Sequence, residues 1–142
     1  MKTVRDVLNV KGRTVWSIDA TASVFDALKL MAEKEIGALL VTEGTRIVGI
    51  LSERDYARKV ILHGRSSPTT SVNEIMTAHL VYTQPEQKID ECMAIMTERR
   101  IRHLPVIDDE QLVGIISIGD LVKAIITEQK FMIEQLERYI TG

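Results

Sequence analysis

"MAEKEIGALLVTEGTRIVGILSERD", Met31–Asp55, decides the fold, because the chain says it twice. Moved along by 65 positions it lies without a gap over "MTERRIRHLPVIDDEQLVGIISIGD", Met96–Asp120. Met31, Glu33, Ile36, Leu39, Val41, Val48, Gly49, Ile50, Ser52 and Asp55 each meet their own residue type in the second copy. Unrelated segments of average composition would agree at about one or two of these positions. The internal repeat is therefore the organising feature of the chain.

Each copy reads the same way outward from this core. "SVFDALKLMAEKEI" places apolar residues at Val24, Ala27, Leu28, Met31 and Ala32, the spacing of an amphipathic helix. "KIDECMAIMTERRI" repeats it with Ile89, Cys92, Met93 and Met96. "GALLVT", a turn at Glu43-Gly44 and "IVGIL" predict a hairpin, as do "HLPVI", Asp108-Asp109-Glu110 and "LVGII". A second helix then opens at Ser52 ("SERDYARKVIL") and at Ser117 ("SIGDLVKAIITEQKFMIEQLERYI"). The expected class is α+β: two pseudo-symmetric β-α-β-β-α repeats packed through their sheets. The expected boundaries are 1–66 for the first repeat and 67–127 for the second. Residues 128–142 form a helical extension. The polar "HGRSSPTTS" joins the copies. A repeat of about 60 residues is marginal alone, so one shared module is expected. The last helix carries an apolar stripe at Ile126, Phe131, Met132, Ile133, Leu136, Tyr139 and Ile140. It serves either the module's own surface or a dimer contact.

Composition narrows the function classes. The 142 residues are 45% apolar and 27% charged, with a net charge of −2. The 18 basic residues are interleaved with acidic ones, so no nucleic-acid footprint is expected. The single cysteine, Cys92, lies on a helical apolar face and reads as a small core residue. "MKTVRDVLNV" lacks a signal peptide's apolar core, and no run approaches a membrane span, so a cytoplasmic protein is expected. No phosphate loop, dinucleotide fingerprint or zinc spacing is present in the sequence, and neither catalysis nor a metal is expected.

Both hairpins run into Gly-apolar-apolar-Ser-x-x-Asp: Gly49–Asp55 and Gly114–Asp120. Ser followed three residues later by an acid is a loose capping box, which explains both positions without a ligand. With "RIRHLPVID" ahead of the second hairpin, the combination resembles the cystathionine-β-synthase (CBS) domain family in its tandem form, the Bateman module. The resemblance covers roughly residues 4–126.

That resemblance implies a regulatory sensor that holds an adenine nucleotide (AMP, ADP, ATP or NAD(H)) in clefts between repeats. It also implies a homodimer, a disc of four CBS repeats, acting on an unknown regulated protein. Asp55 and Asp120 would take the ribose hydroxyls. Ser52, Arg54, Arg102, His103, Ser117 and Gly119 would serve ribose or phosphate. The adenine pockets would draw on Thr14, Val15, Trp16, Gly37, Ala38, Ile50, His79, Leu80, Val81, Pro105 and Ile115. Asp55 would face His79, Leu80, Val81 and "RHLP"; Asp120 would face Thr14, Val15, Trp16 and "GALL". Carboxylate oxygens suit vicinal hydroxyls, and guanidinium forks suit phosphate. Arg58, Arg99 and Arg100 read equally well as solvated helix charges. Gly119 stands where the first copy has Arg54, and Gly37-Ala38 stand where the second has Arg102-His103. The Asp120 cleft therefore lacks a basic clamp and would take a bulkier ligand, such as a dinucleotide. The alternative reading is a structural or protein-interaction module with empty clefts.

Overall fold

The structure, a computed structural model, describes residues 2–141. In chain order the elements are α1 (Val4–Lys11), β1 (Ser17–Asp19), α2 (Val24–Lys34), β2 (Ala38–Glu43), β3 (Arg46–Ser52) and α3 (Glu53–Tyr56). A π-helical turn (Ala57–Ile61) continues α3, and a 3₁₀ turn (Ser67–Thr69) precedes α4 (Val72–Ile75). Then follow α5 (Ile89–Arg99), β4 (His103–Asp108), β5 (Gln111–Ser117) and α6 (Ile118–Thr141). The chain is α+β, with a sheet ordered β1-β2-β3 and a second sheet β4-β5.

Two compact units emerge. One is Val15–Leu80; the other joins residues 2–14 to residues 81–141. Each unit thus takes its leading helix from the opposite half of the linear sequence, α4 in the first and α1 in the second. The repeat explains why both helices fit. Thr3-Val4, Asp6-Val7-Leu8 and Ser71-Val72, Glu74-Ile75-Met76 share one pattern. Each starts with a capping box: Thr3 N–H donates to Asp6 at 2.9 Å, and Ser71 N–H donates to Glu74 at 2.6 Å. Neither helix was recognised in the sequence reading, because two apolar residues per turn over so short a run carry little periodicity.

The hairpins match position for position. Val41 pairs with Gly49, and Val106 with Gly114, each just before a bulge. The leading strands differ. Leu40 N–H donates to Trp16 O at 3.2 Å and extends the parallel ladder of β1 on β2. Pro105 occupies the equivalent place and has no N–H to give. The second sheet's leading strand therefore shrinks to a single parallel bridge, Thr83 on Val106. The helix expected after Ser52 also departs from regularity, widening to a π turn after one α turn.

Both cores are built from equivalent residues. Val24, Ala27, Met31, Leu39, Val41 and Leu51 are buried in the first unit. Ile89, Cys92, Met96, Leu104, Val106 and Ile116 are buried in the second. Cys92 thus sits where the first unit has Ala27, fully buried with its Sγ 3.4 Å from Thr83 Oγ1. Burial pushes its thiol up, which disfavours the thiolate. α1 contributes Val4, Val7 and Leu8 to one core, and α4 contributes Val72 and Ile75 to the other. No helix of the described residues is long and apolar enough to cross a membrane.

Candidate functional site

The two Ser-x-x-Asp motifs sit where strand becomes helix, β3 into α3 and β5 into α6. Strand backbone ends at the Ser, so its N–H and Oγ turn toward the first helical turn. In the first unit Ser52 N–H and Oγ–H both donate to Asp55 Oδ2 at 3.0 Å, and Asp55 N–H donates to Ser52 Oγ at 3.1 Å. In the second, Ser117 N–H donates to Asp120 Oδ2 at 2.8 Å, and Asp120 N–H donates to Ser117 Oγ at 3.1 Å. The capping box is real in both copies, and it loads the same carboxylate oxygen.

Each carboxylate also holds a lysine that the sequence reading missed. Lys59 Nζ lies 3.4 Å from Asp55 Oδ1 and donates to Ile75 O at 3.0 Å. Lys11 Nζ lies 2.6 Å from Asp120 Oδ2 and donates to Ile115 O at 2.7 Å. The two lysines come from different places. Lys59 is one turn along from Asp55. Lys11 ends α1, far away in sequence from Asp120. The equivalent of Ile115 O in the first unit, Ile50 O, is satisfied by Thr77 N–H at 2.9 Å. There the chain leaves α4 after one turn and bridges β3 at Ile50. Helix α1 instead continues, and its terminal lysine reaches the strand edge.

Both acids are largely sheltered, with side chains 15% (Asp55) and 23% (Asp120) exposed. Burial pushes the Asp120 carboxyl up, but the Lys11 ammonium and the Ser117 N–H outweigh it and hold the group below its ordinary value. The Asp120 cleft was expected to lack a basic clamp, since Gly119 and Gly37-Ala38 replace the basic residues of the other copy; Lys11 supplies a basic group there from α1. A cavity of about 470 Å³ opens beside Asp120, with Lys2, Lys11 and Lys123 among its walls.

A carboxylate with a folded pKa below its unfolded value stabilises the fold above the ordinary value. That contribution is lost as pH falls through the folded value. Lys11→Met removes the ammonium while burial remains, so the Asp120 pKa rises. Urea unfolding followed from neutral pH down to about pH 3 should show the variant less stable than the wild type at neutral pH, with the gap closing as pH falls, because the variant has less Asp120-linked stability to lose. Coincident pH profiles would refute the coupling.

Val15, Trp16, Gly37, Ala38, Ile50, Arg54, His79 and Leu80 belong to the unit of Asp55. Thr14, Val81, Arg102, His103, Pro105, Ile115 and Gly119 belong to that of Asp120. Trp16 just precedes β1 and is 39% exposed, with Lys34 Nζ 4.3 Å from its ring centroid. The ring is thus a partly open surface with a cation over it. Gly37 O accepts from Glu53 N–H at 3.0 Å, which ties the start of β2 to the first turn of α3. His103 opens β4 half-buried, whereas Arg58, Arg99, Arg100 and Arg102 are exposed. Among the described residues, no three His, Cys, Asp or Glu side chains gather as a metal site.

Comparison with known proteins agrees with the repeat. The CBS domain family matches residues 3–62 and 72–127. The CBS domain-containing protein CBSX3, mitochondrial, of Arabidopsis thaliana is 42% identical over 99% of this chain and 72% of its own length. A candidate signal-transduction protein with CBS domains from Burkholderia ambifaria, of solved structure, is 56% identical. It superposes with a TM-score of 0.87 over 90% of this chain and 96% of that one. The CBS domain pair of protein MJ0100, solved with 5′-methylthioadenosine and S-adenosyl-L-methionine, shares the fold. Its TM-score is 0.76 at 24% identity, over 87% of this chain and 99% of that one. CBS pair proteins are regulatory or signal-transduction modules. The chain belongs to the CBS-domain family and carries two CBS domains in tandem.

Proposed function

We propose that this chain is a regulatory sensor that binds an adenosine-containing nucleotide, AMP, ADP, ATP or NAD(H), through Asp55 and Asp120. One observation carries the reading. The same sheltered carboxylate with its serine and a lysine is built twice, and the lysine arrives by two different routes. A helix cap needs a serine and an acid but no lysine. In both copies the cap occupies Oδ2. Oδ1 can therefore accept a ribose hydroxyl while the cap stays intact, once Lys59 yields at Asp55. The complex of the MJ0100 pair with two adenosine derivatives supports the ligand class.

Phosphates would meet Arg54 beside Asp55, with Ser52 at the helix mouth, and Arg102 and His103 are further phosphate ligands of this reading. On the Asp120 side phosphates would meet ammonium groups from Lys2, Lys11 and Lys123, with Ser117 and Gly119 at the helix mouth. Calorimetry reading two equal, independent AMP sites would remove the expected asymmetry of the clefts. Binding biases an equilibrium between two shapes only by the ligand's differential affinity. The regulated target is a protein, and the working form is a homodimer of modules in the cytoplasm. The mitochondrial relative makes cell fractionation the check on location.

A second reading has its own observation: Lys59 and Lys11 already satisfy both carboxylates, as an unliganded interaction module would require. Melting curves with a panel of AMP, ADP, ATP, NAD⁺ and S-adenosylmethionine decide between them. A ligand at 100 times its Kd should stabilise the protein by about 2.7 kcal/mol. No shift with any member would favour the interaction module.

A further inference from the structure

We propose that the projecting end of α6 pairs antiparallel with the same helix of a second copy of this chain. The inference deepens the homodimer part of the reading above and is independent of its ligand. α6 runs 24 residues, about 36 Å, and every residue from Phe131 to Thr141 is exposed. Ile133, Leu136 and Ile140 are 54%, 60% and 79% exposed, so among the described residues nothing covers this face.

The face has the periodicity of paired helices. Val122, Ile126, Gln129, Ile133, Leu136 and Ile140 follow in alternating steps of four and three. That mean of about 3.5 keeps a seam turned toward a partner. The two flanks of the seam differ in kind. One carries Lys123, Lys130 and Glu137; the other carries Ile125, Met132 and Tyr139. A parallel partner would set the charged flank of one helix against the apolar flank of the other, desolvating charges without pairing them. An antiparallel copy sets like flanks together. With Ile133 on Leu136 of the second copy, and Gln129 on its Ile140, Lys130 meets its Glu137 and Met132 meets its Tyr139. Two-fold symmetry makes every one of these contacts twice. The overlap spans residues 129–140, about 18 Å, and every residue in it is exposed.

The test is sedimentation equilibrium on the full chain, with Lys130→Glu, Glu137→Lys and the double reversal. Each single variant turns two attractions into two repulsions and should weaken self-association about tenfold. The double variant restores the pairs in swapped order and should return to within about twofold of wild type. Circular dichroism should stay unchanged, because both positions are exposed. A wild type that is monomeric throughout overturns the pairing together with the homodimer reading. Association that ignores the single reversals, or a double variant as weak as the singles, overturns only this pairing.

Discussion

The Asp55→Ala/Asp120→Ala protein should lose its nucleotide-dependent thermal shift altogether. For a chain of this size, stabilisation by about 2.7 kcal/mol raises Tm by roughly 5–10 °C in the wild type. Alanine leaves no acceptor for the ribose hydroxyls, so the shift should fall to near zero with whichever nucleotide of the panel stabilises the wild type. The unliganded variant should also melt lower, because each acid supports the start of its helix. An acid at a helix N-terminus is worth about 0.3–1 kcal/mol. The two effects separate with Asp55→Asn/Asp120→Asn. The amide keeps the volume and one acceptor oxygen, so the shift should shrink without vanishing. The single alanine variants assign the clefts: equal halving means two equivalent sites, and loss in one alone means that cleft carries the response. A full shift in the double alanine variant would remove both acids from the site.

Much of this was legible in sequence because the repeat supplies an internal comparison. Gly49 and Gly114, Ser52 and Ser117, Asp55 and Asp120 stand out only when the copies are superposed. The hairpins were legible because strand alternation and turn chemistry are local. The leading helices were not, since α4 has four residues and its worth comes from Val72 and Ile75 reaching a core far from their neighbours. Lys11 was invisible for a related reason. Its partner lies more than a hundred residues away, and the other copy satisfies the same strand carbonyl with a backbone N–H. Sequence alignment compares positions, whereas Lys11 and Lys59 perform one job from positions that do not align. The shortened second ladder is the opposite case. Pro105 is plain in the sequence, but its consequence depends on the Leu40 N–H that reaches Trp16 O in the other copy.

Gly49→Ala should destabilise the protein more than Gly114→Ala, although both stand at the same place in the repeat. Neither glycine has a positive φ. Added methyl groups at unstrained positions usually help slightly, by restricting the unfolded chain. Here the space decides the sign. A Cβ on Gly49 would lie 2.7 Å from Met76 Sδ and 2.9 Å from Thr77 O. The sulfur can swing away, but the carbonyl is held by Ile50 N–H at 3.0 Å. Relief would require breaking the bridge between β3 and the segment after α4. A Cβ on Gly114 would lie 2.8 Å from Leu8 Cδ2, the far end of a side chain that can rotate. Overpacking of this kind costs about 1–3 kcal/mol, with Gly49 expected at the upper end and Gly114 at the lower. Double variants distinguish the two causes. Leu8→Ala opens a cavity and is costly alone, yet Gly114→Ala should cost little on top of it, giving strong non-additivity. Met76→Ala should rescue Gly49→Ala only slightly, because the Thr77 carbonyl remains. Urea unfolding of the four single and two double variants measures both coupling energies. Full rescue of Gly49→Ala by Met76→Ala would show that the side chain, not the bridge, makes this glycine necessary.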